Sequence, residues 1–256
     1  MRRIIIRPKM DFRISVEAEN ISPDRFASLS LEQIKNLIAW HGNRQMILSD
    51  LFMIEGDDAT ANVEDMAIQL AGDFSNVKRI GEGMTAGVIE VQGSAGMHAG
   101  NSMSGGFLSI AGNADDWLAR EMRGGKVVVV GDAGNYVGAG YRGEKCGMRG
   151  GEIEVRGNVG AYLGEHLCGG SIRIGGNAGD FSGAANQGGT IFIEGDTYLP
   201  GAEMSKGTIT VKGKAKLLPS FQKLDIVEID GIAYQKYAGD LVDNGKGELL
   251  VGNEGV

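Results

Sequence analysis

From Val88 onward the chain alternates apolar and polar residues in short bursts that recur at a fixed distance. The apolar pairs are Ile89/Val91, Leu108/Ile110, Val127/Val129, Ile153/Val155, Ile172/Ile174, Ile191/Ile193 and Ile209/Val211. Polar residues such as Glu90, Lys126, Glu152, Glu154 and Arg173 stand between or beside them. A period of two over so few residues predicts a short strand with one buried face. Each burst closes on a glycine: Gly93, Gly112, Gly131, Gly157, Gly176, Gly195 and Gly213. These lie 19 residues apart, except for a step of 26 before Gly157 and one of 18 before Gly213. A weaker copy, MAIQLAG, ends at Gly72.

The repeated core is G-x-x-M-x-x-G-x-I-x-V-x-G, seen almost letter for letter in GEGMTAGVIEVQG (81–93) and GAEMSKGTITVKG (201–213). The G-[N/D]-A-G segment that follows is expected to turn the chain because glycine and asparagine tolerate positive φ. One strand and one turn cannot bury a core alone, so successive copies must stack and pair in parallel. The prediction is an all-β protein, a right-handed parallel β-helix of seven to eight 19-residue rungs. At about 4.8 Å per rung the rod is roughly 30–35 Å long. A left-handed β-helix needs a hexapeptide phase and a calcium-binding β-roll needs G-G-x-G-x-D; neither is present.

Stacking turns repeat positions into columns. Nine residues before the closing glycines stand Met84, Met103, Met122, Met148, Leu167, Asn186 and Met204. This column is expected to fill a corner of the interior, since the thioether adapts to irregular space and no softer metal ligands accompany it. Five residues after the glycines stand His98, Trp117, Tyr136, Tyr162, Phe181 and Pro200. Solvent-facing neighbours such as Asp116, Asn135 and Asp180 favour turning these aromatics inward. Leu118, Val137 and Leu163 also demand burial, so an exposed ladder stays open. Phe107, Val128, Val130 and Phe192 occupy outward strand positions where other rungs carry charge, which marks a possible partner contact.

The ends differ in kind. RRIIIRP reads as a strand, SLEQIKNLIAW as a helix capped by Ser30 with Gln33 three later, and HGNRQMILSDLFMIEG as strands around a Gly42–Asn43 turn. The expected division is an N-terminal strand-and-helix cap over 1–61, the repeat domain over 62–216 and a C-terminal extension or docking segment over 217–256. Both ends would cover open strand edges.

Composition removes several function classes. There are 43 glycines and only 4 prolines without a three-residue period, which excludes collagen. A net charge of −8 with interspersed signs gives no nucleic-acid footprint. The longest apolar run in the repeats is Val127 to Val130, too short for a membrane span, and the opening apolar run is too short for a signal peptide. Cys146 and Cys168 make no evident disulfide framework or metal pair, which fits a reducing cytoplasm.

Candidate chemistry is sparse. His41, His98 and His166 sit in different repeat phases or outside the repeat, and no H-E-x-x-H, C-x-x-C or G-x-S-x-G occurs. The long repeat step holds the insertion YRGEKCG, Tyr141 to Gly147. Loops added to a rigid scaffold often carry function. Cys146, flanked by Arg142 and Lys145, lacks a neighbouring base, so Tyr141, Arg142, Lys145 and Cys146 are read as partner contacts. No catalytic, cofactor or metal residue is assigned.

The repeat core, together with HGN (41–43) and the tail YAGD…GKGEL (237–249), resembles the C subunit of formylmethanofuran dehydrogenase. It is also similar to the C-terminal domain of the glutamate synthase large chain and to the C subunit of the bacterial formyltransferase/hydrolase complex. Glutamate synthase would require amidotransferase and synthase domains that this sequence lacks. The resemblance implies a noncatalytic cytoplasmic scaffold in a complex that reduces CO2 with methanofuran to formylmethanofuran, the first and reversible step of methanogenesis from CO2. It implies that the cofactors lie in other subunits: a molybdenum or tungsten pterin, iron–sulfur clusters and a dinuclear metal site in an amidohydrolase-like chain. The bacterial complex is the alternative. A free-standing carbohydrate-active protein using the aromatic column is a third reading, and it lacks a cluster of acidic or basic groups to support it.

Overall fold

Two apolar columns hold the protein together. A computed structural model of the chain describes residues 1–58 and 60–252. In it the repeat strands Met66–Leu70, Val88–Val91, Ser104–Ile110, Gly124–Val129, Glu152–Val155, Ser171–Ile174, Gln187–Ile193 and Lys206–Val211 pair in parallel, each with the next. The register keeps Ile68, Ile89, Leu108, Val127, Ile153, Ile172, Ile191 and Ile209 in one column and Leu70 through Val211 in the other. All of these side chains are buried. Because the side-chain period of a strand is two, one residue of slip would turn both columns to solvent.

The sheet continues past both ends of the repeat. Arg2–Pro8 pairs in parallel with Met66–Leu70, placing Ile4 beside Ile68 and Ile6 beside Leu70, and Phe52–Gly56 closes that edge antiparallel. At the other end Gly247–Gly252 pairs in parallel with Lys206–Val211, with Leu249 beside Ile209 and Val251 beside Val211. The expected repeat domain stops short of this strand. Its step is long because the hairpin Gln222–Ile229/Ile232–Gly239 intervenes, and the second arm then pairs antiparallel with Gly247–Gly252. Of the segment 217–256, residues 253–256 lie outside the described residues.

The N-terminal reading needs two corrections: the segment HGNRQMILSDLFMIEG carries a helical turn, Leu48–Leu51, between its strands, and the expected helix is shorter. The capping box of Ser30 and Gln33 forms, but the helix covers only Leu31–Lys35. Ile38–His41 is a strand, paired with Val16–Glu17 and, around the Gly42–Asn43 turn, with Arg44–Ile47. Sheet partners on both sides outweigh the weak helical preference of a β-branched and aromatic segment.

The glycines divide into two physical classes. Gly151 has φ of 92°, and a side chain there would come within 2.8 Å of the Met122 Cε. The Met148 methyl lies against Gly170 in the same way, and Met204 against Gly247. The G-x-x-M-x-x-G core therefore works between rungs: a thioether fills the space left by the missing side chain of the rung above. Closing glycines such as Gly131 do not have positive φ, which overturns the reason expected for them. They serve close approach. A methyl at Gly131 would stand 2.7 Å from the Gly112 carbonyl oxygen and collide with Asn113 Oδ1.

The adjoining Asn and Asp are likewise used for stacking. Asn113 Oδ1 accepts from the Asp132 amide at 3.0 Å, Asp132 from Asn158 at 2.7 Å, Asn158 from Asn177 at 2.9 Å and Asn177 from Asp196 at 2.8 Å. The ladder satisfies turn amides from rung to rung. Gly131→Ala is expected to cost about 1–3 kcal/mol, as overpacking does in a close-packed stack. Urea denaturation checks it, and a cost within error of zero would show that the rungs can separate to admit a methyl.

Candidate functional site

Which side chains face out is decided at one backbone position per rung. His98, Trp117, Tyr136, Tyr162 and Phe181 all adopt left-handed φ, between 59° and 66°. That conformation sends the following residue inward: Leu118, Val137 and Leu163 are fully buried. The aromatic column therefore lies outside, half-buried, and the inward reading is corrected. Its rings stack on one another, with centroids 6.3 Å apart for His98–Trp117, 4.2 Å for Trp117–Tyr136, 5.2 Å for Tyr136–Tyr162 and 5.4 Å for Tyr162–Phe181. Burial, reinforced by the Arg120 and Arg79 cations, pushes the His98 imidazole below its usual range.

The inserted loop folds onto this ridge. Tyr141 leans on Trp117 at 5.6 Å between centroids, and the Arg120 guanidinium lies 4.9 Å over the Tyr141 ring. The Tyr141 amide donates to Glu121 Oε1 at 3.2 Å, and Gln187 Nε2 donates to the Lys145 carbonyl at 2.7 Å. Arg142, Gly143, Glu144 and Lys145 are exposed. Cys146 is joined to Cys168 by a disulfide, with Cα atoms 5.6 Å apart. The expectation of two unpaired cysteines is thus corrected. The signal was present in the methionine column: Cys146 stands two residues before Met148 and Cys168 one after Leu167, and those two positions stack.

Beside the loop, burial pushes the Glu165 carboxyl up, opposed by His166 and Arg142. Four buried polar atoms on this side have no hydrogen-bond partner among the described residues: His98 Nδ1, Asn101 Oδ1, Arg120 Nε and His166 Nδ1.

The other sequence-predicted contacts lie on the outer face of the long sheet and form no single patch. Phe107 and Val128 are on neighbouring strands. Phe192 lies three strands beyond Val128, separated by Glu154 and Arg173, and the Arg173 guanidinium covers its ring at 4.3 Å. Val130 is the most exposed of the four at 48%. Met84, Met103, Met122, Met148, Leu167 and Met204 are fully buried, as is Asn186, which has its own partners: its Oδ1 accepts from the Gly188 and Gly189 amides at 3.0 and 3.1 Å. Among the described residues, no group of three or more His, Cys, Asp or Glu is placed to hold a metal ion, and no helix is long and apolar enough to cross a membrane.

Known proteins match most of the chain. The C subunit of the tungsten-containing formylmethanofuran dehydrogenase 2 of Methanococcus maripaludis is 53% identical over 230 residues, covering 89% of this chain and 83% of that one. The chain belongs to the family of formylmethanofuran dehydrogenase C subunits. The C subunit of the tungsten-containing enzyme of Methanothermobacter wolfeii is 45% identical over 100 residues, and that of the molybdenum-containing enzyme of Methanosarcina barkeri is 43% identical over 98. In those two the match spans about a third of the relative's length, 37% and 32%. No protein-family model matches the chain. A chain in the crystal structure of the formyltransferase/hydrolase complex of Methylorubrum extorquens, solved with methylofuran, superposes with a TM-score of 0.89 at 27% identity. That match covers 97% of this chain and 99% of the other, so the fold persists across wide sequence divergence.

Proposed function

We propose that this chain is a noncatalytic structural subunit of a formylmethanofuran dehydrogenase complex, an oxidoreductase that reduces CO2 with methanofuran to formylmethanofuran in the first step of methanogenesis from CO2. The observation that carries the reading is the 53% identity to the C subunit of the Methanococcus maripaludis enzyme across 89% of the chain. The stacked parallel rungs are read as a right-handed parallel β-helix. Residues 1–61 and the described part of 217–256 act as its caps around the repeat domain 62–216.

Partner chains carry the chemistry: a pterin-containing redox subunit with molybdenum or tungsten, iron–sulfur subunits and an amidohydrolase-like subunit with a dinuclear metal site. The complex works in the cytoplasm. The contacts assigned to this chain are the aromatic ridge with the Tyr141–Gly147 loop, and the Phe107–Val128 surface. The exposed Tyr141 ring and the exposed Arg142–Lys145 segment beside the half-buried ladder support the first, because aromatic and arginine side chains are enriched at interfaces between chains. Membership in the bacterial formyltransferase/hydrolase complex is the second reading, favoured by the whole-chain superposition on that assembly. A saccharide groove is disfavoured because the ladder rings spend their faces on one another.

Anaerobic purification through this chain, with mass spectrometry and metal analysis, tests the proposal. Co-purifying pterin, iron–sulfur and amidohydrolase-like chains with formylmethanofuran-forming activity are expected. Amidohydrolase-like and formyltransferase chains without iron–sulfur would move the assignment to the bacterial type of complex, and a solitary chain would overturn both.

A further inference from the structure

We propose that Cys146 and Cys168 are a redox site, a dithiol–disulfide couple that fastens or frees the Tyr141–Gly147 loop and exchanges with a protein or small-molecule dithiol. The two cysteines stand on unlike supports. Cys168 follows the fully buried Leu167, and its amide donates to the Met148 carbonyl at 2.9 Å, so it is fixed in the rung stack. Cys146 is near the end of the insertion, where Gly147 is anchored through its amide to the His166 carbonyl at 2.8 Å.

Tyr141 is held at the start of the loop by Glu121, Trp117 and Arg120, and between it and Gly147 the chain has little else to hold it. The Glu144 amide bonds only within the loop, to the Tyr141 carbonyl at 2.9 Å, and Gln187 reaches the Lys145 carbonyl. Arg142 to Lys145 are exposed, and neither cysteine is buried, so an incoming thiolate has access to the cross-link. The bond therefore ties a lightly held segment to a rigid one. A cross-link in the middle of the rung stack would gain little by comparison, because the parallel ladder already fixes those residues.

The exchange balances without a further reagent. A thiolate of the incoming dithiol attacks Cys146 Sγ, and the Sγ–Sγ bond breaks. Its electron pair leaves on Cys168 Sγ, which takes up a proton. The second thiol of the dithiol then attacks the mixed disulfide and releases Cys146 as a thiol. Two electrons and two protons have passed to the protein, and the dithiol has become a disulfide. Oxidation is the reverse, with a disulfide as the acceptor. The consequence for assembly rests on the partner-contact reading of the loop given above: the fastened loop keeps Arg142 to Lys145 beside the aromatic ridge and the freed loop releases them, while Tyr141 keeps its own contacts with Trp117, Arg120 and Glu121.

The test uses the full-length chain, with free thiols blocked by N-ethylmaleimide at lysis, then treated or not with dithiothreitol under native conditions. Mass spectrometry of the untreated chain is expected to find Cys146 and Cys168 in one linked peptide, lost after dithiothreitol. Trypsin cleavage after Arg142 and Lys145 should then be about tenfold faster, since proteolysis follows the open population of a segment. A Cys146→Ser/Cys168→Ser chain should be cleaved at the fast rate with or without reductant. Two labelled thiols before treatment, a linked peptide that withstands dithiothreitol in the folded chain, or equal cleavage rates would each overturn the redox site. Capture of partner chains, measured in parallel, separates the two readings. Loop release with unchanged capture upholds the redox site and overturns the docking role of the loop.

Discussion

Met122→Ala is expected to lower the unfolding free energy by about 2–5 kcal/mol, the range for a large-to-small change at a fully buried site. The side chain is fully buried, and its methyl fills the space left by the missing side chain of Gly151. Alanine would remove the thioether and leave that space empty. Collapse cannot refill it, because parallel hydrogen bonds fix the rungs on both sides: Lys126–Val129 is paired to Phe107–Ile110 below and to Glu152–Val155 above. The cost should therefore fall in the upper half of the range. Urea denaturation of the full chain measures it, and a change below about 0.5 kcal/mol would show that the column does not pack as a core. Met122→Leu keeps most of the volume and should cost less than about 1.5 kcal/mol.

The methionine and glycine columns show how much of this fold was legible in the sequence. Period-two pairs at a 19-residue repeat specify strands, one buried face and parallel stacking, and the paired columns follow that register. The purpose of each glycine was less legible. Composition cannot separate a glycine needed for its φ from one needed for its size. Gly151 meets both demands, whereas Gly131 is required only for close approach. The direction of the aromatic column was hidden for a similar reason. Two adjacent apolar positions, such as Trp117 and Leu118, cannot both face in, and the left-handed backbone at the first decides between them.

The candidate surface was legible as a location and obscure as a geometry. The break in period marked Tyr141–Gly147, and the stacked column pointed to one side of the rod. Seeing that loop and ladder meet required the insertion to fold back over Trp117, a contact 24 residues distant in sequence. The outward apolar residues promised more than they form. Each is apolar on its own strand, but Glu154 and Arg173 separate Val128 from Phe192, so the sheet face carries no continuous patch linking all four.

The C-terminal rung tests whether this repeat logic extends to where the sequence motif is weakest. GELLV, Gly247 to Val251, is the second half of the repeat core without the methionine half before it. The structure nonetheless uses it as a full rung: Met204 packs on Gly247, and Leu249 is fully buried between Ile209 and Tyr237. Leu249→Asp would place a carboxylate in that column with no partner, so the expected loss is about 4 kcal/mol or more. Ile226→Asp, on the exposed arm of the hairpin at 55% exposure, should change stability by less than about 0.5 kcal/mol. Thermal unfolding of both chains gives the comparison. If the final rung is integral, Leu249→Asp should unfold the stack from that end, uncover the Lys206–Val211 edge and aggregate on heating, while Ile226→Asp melts like the parent. Equal melting of the two would mean that the stack ends at Val211 and that the last strand is only laid against it.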